Sequence, residues 1–366
     1  MTATVRVPLG DASYDIVLGQ GILAGLPDYL QRYCPAAQYA VITDSSVAPL
    51  YGREVASAAE QVGHTHLVAF PAGEWNKNRE TWADLTDQLL RAELDRDAVV
   101  IALGGGVVGD LAGFVAATYL RGVRCLQVPT SLLAMIDSAI GGKTGVDTEA
   151  GKNLVGAFHQ PEAVVADVAT LSTLPPVQLA AGMAEALKHG VIADADYFAR
   201  MLDRHEAIGR RDLAALFDVV RRSVEIKAAV VGADERERGK RSILNFGHTM
   251  AHALETAFGY ELLHGEAVAI GMVAEAELGE EIGISQAGTA SQVRKAVEAF
   301  DLPTAAPGRV DRERLLGAMR RDKKARDGTV RFALPARLGE MARGEGGEWT
   351  VAAPERAVRA ILERIG

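Results

Sequence analysis

Residues Val99–Pro161 contain the pattern from which we predict the fold: VVIALGGGVVGDLAGFVAATYLRGVRCLQVPTSLLAMIDSAIGGKTGVDTEAGKNLVGAFHQP. It opens on a run, 97–103, whose apolar residues lack helical periodicity, which predicts a buried strand. A glycine-rich turn follows, and 111–120 then has a helical pattern. In the order strand, turn, helix, a G-x-G-x-x-G spacing such as Gly104, Gly106 and Gly109 is typical of dinucleotide binding, because glycines let a pyrophosphate approach the helix N–H groups.

The spacing by itself does not separate a cofactor turn from a plain tight turn. The usual fingerprint has an acid about 20 residues further on that holds the ribose. Residues 122–125 are Gly-Val-Arg-Cys and offer no carboxylate. Asp44 is the candidate instead, because it ends the strand-like run 39–43.

Two lysines follow in segments bounded by glycine, Gly141-Gly142-Lys143 and Gly151-Lys152-Asn153, and Arg121 adds a third cation. Lysines in loops are often only solvated. Two beside glycines and flanked by apolar segments favour an anion pocket instead.

Composition excludes several classes of protein. The chain has 366 residues, enough for two domains, and its 48% hydrophobic and 24% charged residues are typical of a globular protein. A net charge of -9 argues against a general nucleic-acid or membrane surface. Cys34 and Cys125 form no disulfide framework, which favours a reducing cytoplasm. We find no run long enough to span a membrane and no signal peptide.

Strand and helix patterns alternate through the first 175 residues and predict a parallel sheet covered on both faces. After Leu174-Pro175-Pro176 strand signals nearly vanish, so we predict an α/β domain over 1–175 and a mostly helical domain over 176–366, with a ligand cleft between them. The predicted strands are 2–8, 13–18, 39–44, 66–70, 97–103, 124–129 and 163–167, with a short pair at 328–334 and 347–351. The predicted helices are 22–33, 47–62, 79–92, 111–120, 177–191, 194–204, 211–233, 248–258, 264–282, 287–300 and 311–323.

The helical half contains candidate metal ligands. His248 and His252 are four residues apart on one helix, His264 follows a short loop, and Glu185 shares a face of another helix with Lys188. Each histidine alone is more often a satisfied core or surface residue, but three within 17 residues favour a metal. The spacing leaves open whether His252 or His264 is a ligand, and whether the metal is zinc, iron or cobalt. It is not H-E-x-x-H, which disfavours a zincin protease.

A dense charge run covers 234–241, and we expect most of it to be solvated. Arg241, four residues before Asn245, is the member expected to turn inward. Lys227 lies on a helix that is otherwise apolar on one face.

Taken together, these segments resemble the 3-dehydroquinate synthase family of the sugar-phosphate cyclase superfamily. The resemblance covers about 44–334 and rests on GGGVVGDLAGFVAATYLRG, VPTSLLAMIDSAIGGKTGVD, GKNLVGAFHQP, MAEALKHG, LNFGHTMAHALE, HGEAVAIGM and DKK. It implies a Rossmann-like NAD-binding domain joined to an all-α metal-binding domain, a dehydroquinate synthase-like fold that usually forms a homodimer.

The resemblance also implies a role for individual residues. The family's metal ligands fall on Glu185, His248 and His264, with zinc or cobalt expected. Its NAD contacts fall on Asp44, Glu74, Lys77, Gly105, Gly106, Val107, Asp110, Thr130, Ser131, Lys143 and Lys152. Its substrate contacts fall on Arg121, Asp137, Lys143, Lys152, Asn153, Lys188, Lys227, Glu237, Arg241, Asn245, His252 and one lysine of the 323/324 pair, for which we choose Lys324. Arg121 is expected to reach the neighbouring subunit's site.

The implied reaction converts 3-deoxy-D-arabino-heptulosonate 7-phosphate into 3-dehydroquinate and phosphate, a step of the shikimate pathway of aromatic amino acid biosynthesis. NAD-dependent oxidation, phosphate elimination, reduction and aldol closure follow one another, so NAD is not consumed. Relatives that make valiolone-type or inosose-type rings use substrates without a carboxylate, which Lys227 and Arg241 are expected to bind here. An aminodehydroquinate synthase, a metal-dependent polyol dehydrogenase and a non-catalytic scaffold are the alternatives.

Overall fold

The computed structural model describes residues 1–259, 261–308, 311–321 and 330–365, which form two compact units. The first unit comprises Met1–Leu174 and Leu216–Gly232, and the second Pro175–Ala215 and Ala233–Gly366. The domain division at residue 175 stays a prediction. It places 216–232 in the helical half, whereas the structure groups this segment with the first unit. That segment packs on the first unit so closely that a Cβ at Gly232 would lie 2.6 Å from Pro8.

The first unit is built on a seven-stranded sheet. The sheet strands are β1 (Thr2–Val7), β2 (Tyr14–Gly19), β3 (Gln38–Asp44), β4 (His64–Phe70), β5 (Val99–Gly104), β6 (Arg124–Pro129) and β9 (Ala163–Asp167), and a separate hairpin contains β7 (Lys143–Thr148) and β8 (Gly151–Phe158). The strands of the sheet lie in the order β1-β2-β9-β6-β5-β3-β4, and all neighbours are parallel except β1 and β2, which form an antiparallel hairpin.

Helices cover both faces of this sheet, as predicted. They are α1 (Leu26–Tyr33), α2 (Arg53–Glu60), α3 (Arg79–Arg91) and α4 (Gly106–Thr118). Alternate residues of β5 join different cores: Val100 packs in the core beneath α3 and α4, and Ile101 in the core beneath α1 and α2. A strand buried on both faces must be apolar throughout, which is why its sequence has no polar alternation.

Helix α4 begins at Gly106, five residues before the predicted start. The glycines are therefore the end of β5, the N-cap and the first turn of the helix, instead of a separate loop. Glycine disfavours helices, but tertiary contacts outweigh that preference here. A Cβ at Gly113 would lie 2.5 Å from the Thr144 side chain, so its absence lets α4 pack on β7.

The prediction that the two glycine-bounded lysine segments are loops is wrong. They belong to the antiparallel hairpin β7–β8, in which Lys143 pairs with Phe158 and Thr148 pairs with Gly151. Another glycine of the hairpin, Gly156, serves strand packing, because a Cβ there would lie 2.1 Å from the Thr144 carbonyl oxygen. Glycine in a strand marks such close backbone approaches as well as turns.

The second unit is mostly helical, as predicted. Its helices are α5 (Pro176–Ala193), α6 (Ala195–Asp203), α7 (His205–Gly209), α9 (His248–Ala257), α10 (His264–Glu281), α11 (Thr289–Ala299), α12 (Arg312–Arg321) and α13 (Glu355–Arg364), while α8 (Leu213–Ala233) belongs to both units. Helix α10 is buried along almost its whole length, and it packs against α5, α9 and α11.

The end of the chain holds more structure than the sequence predicted. Besides α13, which we did not predict, there are β10 (Arg331–Phe332), β11 (Pro335–Arg337), β12 (Glu340–Met341) and β13 (Val351–Ala352). The predicted pairing of two short strands is confirmed for β10 and β13, and 328–329 lie outside the described residues. Among the helices that the structure describes, none has the length and apolarity that a membrane span requires.

Candidate functional site

The junction of β5 and α4 forms the first part of the site. Thr43 and Val128 both pair with Leu103, so the carboxyl ends of β3, β5 and β6 meet at one edge of the sheet. The Thr130 N–H bonds the Gly104 carbonyl oxygen at 2.9 Å. No side chain of the described residues caps α4 at Gly105, so its first N–H groups face the end of β5 as donors for an anion.

Asp44 lies at the same edge, at the end of β3, the strand next to β5. It is 8% exposed, and its Oδ1 accepts the N–H groups of Ser46 at 2.8 Å and Val47 at 3.0 Å. The turn after β3 therefore fixes this carboxylate at the place where a ribose acid lies in dinucleotide-binding sheets.

Lys77 sits at the centre of a cluster of charges. Its Nζ lies 2.9 Å from Glu74, 3.3 Å from Asp110 and 3.6 Å from Asp147, and the lysine is only 4% exposed. Burial would lower the pKa of Lys77, but the three carboxylates raise it. For Asp110, burial outweighs Lys77 and raises the pKa to about 6.

Sequence reasoning missed Asp147, although it ends the GGKTGVD motif. Its backbone N–H donates to the Lys77 carbonyl oxygen at 2.7 Å, and its Oδ1 accepts the Asn153 N–H at 2.8 Å. Asp147 thus ties the β7–β8 hairpin to the Lys77 loop.

The two lysines of the hairpin are not brought together. Lys152 lies 3.5 Å from Glu74 and joins the Lys77 cluster. Lys143 starts β7 and pairs with Phe158, six residues beyond Lys152, which is roughly 20 Å of strand. The single pocket predicted for both lysines therefore divides into a site beside Glu74 and a site at the far end of the hairpin.

Lys227 and Asp137 face each other within the first unit. The lysine Nζ donates to the Asp137 carbonyl oxygen at 2.7 Å and forms an ion pair with its carboxylate. Both are predicted substrate contacts, and in the structure they contact each other.

The second unit brings together three metal-ligating side chains, Glu185 of α5, His248 of α9 and His264 of α10. Glu185 Oε1 lies 3.6 Å from His248 Nε2 and 3.7 Å from His264 Nε2. Two ligands each about 2.1 Å from a tetrahedral zinc ion lie about 3.4 Å apart. These distances are too long for hydrogen bonds and nearly right for shared coordination, so the residues fit a metal ion.

Close helix contacts assemble this cluster. A Cβ at Gly265 would lie 2.2 Å from the Ala181 carbonyl oxygen, so glycine lets the start of α10 touch α5 one turn before Glu185. The Glu266 carboxylate accepts the Leu263 N–H at 3.0 Å and fixes the same end of α10. The HGE motif therefore supplies a ligand, a contact and a cap.

The charges of the cluster are strongly coupled. Burial would raise the pKa of Glu185, but Lys188, with which it forms an ion pair, and the imidazoles hold it well below its ordinary value. Burial and Lys188 hold the pKa of His248 well below its ordinary value. Burial would lower the pKa of His264, but the nearby Glu185 and Glu255 carboxylates raise it to about 10. The carboxylates of Glu185 and Glu255 thus favour a positive charge at this cluster.

Both histidines have a partner for their second ring nitrogen. His248 Nδ1 lies 3.2 Å from the Phe246 carbonyl oxygen, and His264 Nδ1 lies 3.4 Å from Glu255. Such partners orient histidines so that Nε2 points at a metal. Sequence reasoning missed Glu255, which is only 2% exposed. Its spacing from His248 is not the i,i+4 spacing of one helix face, but an acidic residue within an apolar stretch was a visible signal.

His252 stands one turn beyond His248, exposed, with its ring in edge contact at 5.5 Å between centroids. Asn245 Nδ2 donates to Glu237 at 2.7 Å. Arg241 is 2% exposed and donates to the Glu235 carbonyl oxygen, so it turns inward from the charge run. The run folds around Asp234, which accepts N–H groups from Arg238, Gly239 and Arg241.

Three predicted substrate contacts have a left-handed backbone: Arg121 (φ 72°), Asn153 (φ 53°) and Glu237 (φ 56°). Non-glycine residues hold this conformation at a cost of about 1–3 kcal/mol, and such strain is concentrated at functional sites. Lys324 lies outside the described residues.

The chain matches two family models, 3-dehydroquinate synthase N-terminal over 67–181 and 3-dehydroquinate synthase C-terminal over 182–325. A 3-dehydroquinate synthase from Symbiobacterium thermophilum is 51% identical over 336 residues, which is 91% of this chain and 94% of that protein.

Solved structures of sugar-phosphate cyclases share the fold. A 2-deoxy-scyllo-inosose synthase complexed with carbaglucose-6-phosphate, NAD+ and Co2+ superposes with a TM-score of 0.90 at 25% identity, covering 100% of both chains. A 2-epi-5-epi-valiolone synthase from Streptomyces hygroscopicus with NAD+ and Zn2+ bound gives 0.87 at 29% identity, covering 98% of both chains.

Proposed function

The chain belongs to the 3-dehydroquinate synthase family, and we propose that it converts 3-deoxy-D-arabino-heptulosonate 7-phosphate into 3-dehydroquinate and phosphate. It would do so as an NAD- and metal-dependent carbon–oxygen lyase. The observation that carries the proposal is the convergence of Glu185, His248 and His264, since a scaffold protein has no need of a metal-ligating set assembled from three helices.

Glu185, His248 and His264 would hold zinc or cobalt, which lowers the pKa of a bound substrate hydroxyl. NAD would serve as the hydride carrier for both the oxidation and the reduction, so no NADH accumulates. The protein's own task is to hold one substrate conformer and to shield it from water. The junction of β5 and α4, with Thr130 and Ser131 beside it, would bind the cofactor's phosphates.

The substrate carries a phosphate and a carboxylate, and both need cations. We assign Lys143 and Lys324 to the phosphate, with Arg121 contributed by the neighbouring subunit of a cytoplasmic homodimer. We assign Arg241 and Lys227 to the carboxylate, with Asp137 holding Lys227 in place. His252, Asn245, Lys188 and Glu237 would hydrogen-bond the hydroxyl groups. Lys152 and Asn153 join Lys77 and Asp110 near the cofactor.

The test is phosphate release from 3-deoxy-D-arabino-heptulosonate 7-phosphate with NAD+ and Zn2+, run beside sedoheptulose 7-phosphate. We expect release from the acid alone, loss on chelation, and no net NADH absorbance. Release from only the neutral sugar phosphate would move the protein to the valiolone branch. Release from neither, with NADH formed from simple polyols, would favour a dehydrogenase.

Assays with the amino analogue of the substrate distinguish the proposed function from the remaining alternative, an aminodehydroquinate synthase. The protein should turn over the oxygen compound with the higher kcat/KM. A higher value for the amino compound would reassign the substrate without changing the mechanism.

A further inference from the structure

Helix α9, which starts at His248, has no cap of its own. The residue before it is Gly247, with φ at 83° and no side chain to accept the first N–H groups. A helix leaves four N–H groups without intrahelical partners at its N-terminus, and burying them unpaired is costly. The start of α9 therefore depends on an acceptor from another element.

Glu275 of α10 is that acceptor. Its Oε2 accepts the Gly247 N–H at 2.8 Å, and its Oε1 accepts the Met250 N–H at 3.0 Å. Glu275 is fully buried. A carboxylate that accepts N–H groups with both oxygens at a helix N-terminus is favoured by hydrogen bonding and by the helix dipole.

The contact is close and directional. A Cβ at Gly271 would lie 2.0 Å from the Gly247 carbonyl oxygen, so α9 begins directly against the backbone of α10. Glu275 follows His264 along α10 by about three turns, which places both on the side of α10 that faces α9. One helix thus provides one histidine and fixes the position of the other.

We infer that Glu275 is a positioning residue for the metal centre: it holds the first turn of α9 so that His248 and His264 converge on one ion. This inference rests on the metal site of the proposed function. Metal ligands must be held within about 0.5 Å of their working positions, and partners outside the ligand set typically change metal affinity by 10- to 100-fold.

A purely stabilising role is the alternative, and α10 offers a matched control. Glu280, one turn or so beyond Glu275, accepts the Ala290 N–H at 2.8 Å and so binds the start of α11. No proposed ligand lies on α11. Glu275→Gln and Glu280→Gln therefore remove the same kind of helix contact from the same helix, and only the first acts on His248.

The experiment compares the full-length wild type, Glu275→Gln and Glu280→Gln, each stripped of metal and titrated with Co2+. We expect Glu275→Gln to bind Co2+ at least about 10-fold more weakly and to change the visible absorption bands of the bound ion. Glu280→Gln should lower the unfolding temperature yet keep the wild-type affinity within about twofold and the wild-type bands.

Wild-type Co2+ affinity and bands in Glu275→Gln would overturn the inference, whatever its unfolding temperature. Should Glu275→Gln not fold, Glu275→Asp is measured in the same way, because it keeps the charge but is too short to reach both N–H groups. A wild type that binds Co2+ but releases no phosphate would refute the proposed function alone. A wild type that binds no Co2+ would refute this inference as well.

Discussion

The junction of β5 and α4 and the cluster of Glu185, His248 and His264 are built in opposite ways. The first is contiguous: one strand end, three glycines and one helix start supply its backbone donors. The second takes one side chain from each of three helices and depends on close contacts such as that of Gly265 with Ala181. A site made of backbone N–H groups therefore follows from local sequence spacing, whereas a site made of side chains requires the packing of distant segments.

The substitution with the largest expected effect removes the metal site and leaves the junction of β5 and α4 unchanged. His248→Ala should abolish stoichiometric metal and lower phosphate release by more than about 100-fold, the upper value for partners outside the ligand set. NAD+ affinity should stay near that of the wild type. Metal analysis, the phosphate assay and NAD+ titration measure these. His205→Ala, an exposed histidine that starts α7, is the control and should change none of them. Full activity in His248→Ala would contradict the assignment.

Substitution of the two hairpin lysines tests whether the two ends of β7–β8 bind different ligands. Lys143→Ala should lower kcat/KM for the sugar phosphate by about 10- to 100-fold, because it removes charge-assisted hydrogen bonds worth about 1.5–3 kcal/mol. Lys152→Ala should weaken NAD+ binding as well, since Lys152 pairs with Glu74. Neither should unfold the protein. Wild-type kinetics in Lys143→Ala would show that the phosphate assignment is wrong, and unchanged NAD+ binding in Lys152→Ala would contradict its place near the cofactor.

A steric change tests the turn itself. Gly104→Ala would place a Cβ 2.5 Å from the Val108 side chain, and we expect a loss of about 1–3 kcal/mol in the free energy of unfolding. Because the Cγ2 at 2.5 Å and the Cβ at 2.7 Å both belong to the Val108 side chain, Val108→Gly in the same protein should restore part of that loss. Urea unfolding of the two single variants and the double variant measures the coupling. Simple additivity would mean that the two residues do not clash.

The smallest effect is a change in pH dependence. The pKa of Asp110 is raised from 3.8 to about 6, so the folded protein binds more protons than the unfolded chain between these values. The contribution of Asp110 to stability is therefore present below about pH 4 and lost as pH rises through about 6. Asp110→Asn should remove this slope from urea unfolding of cofactor-free protein. Asp87→Asn, an exposed control on α3, should keep it. Equal slopes in wild type and Asp110→Asn would contradict the assignment.

The sequence was sufficient to predict the layer structure and the three candidate metal ligands that the structure brings together. Apolar runs without helical period predicted β3, β5, β6 and β9, because a strand covered on both faces must be apolar throughout. The change of pattern at Pro175-Pro176 separated the strand-rich half from the helical half. Motif resemblance then named Glu185, His248 and His264 although they lie far apart in the chain.

Tertiary structure decided what local patterns left ambiguous. Glycine occurs at turns, at helix starts and at close backbone contacts, so local spacing predicts two loops where the hairpin β7–β8 lies and a start of α4 five residues too late. The roles of carboxylates such as Asp147, Glu255 and Glu275 do not follow from local spacing, because their partners lie on other elements. Hydrogen bonds between elements depend on which segments pack together, and only the packed chain determines those pairs.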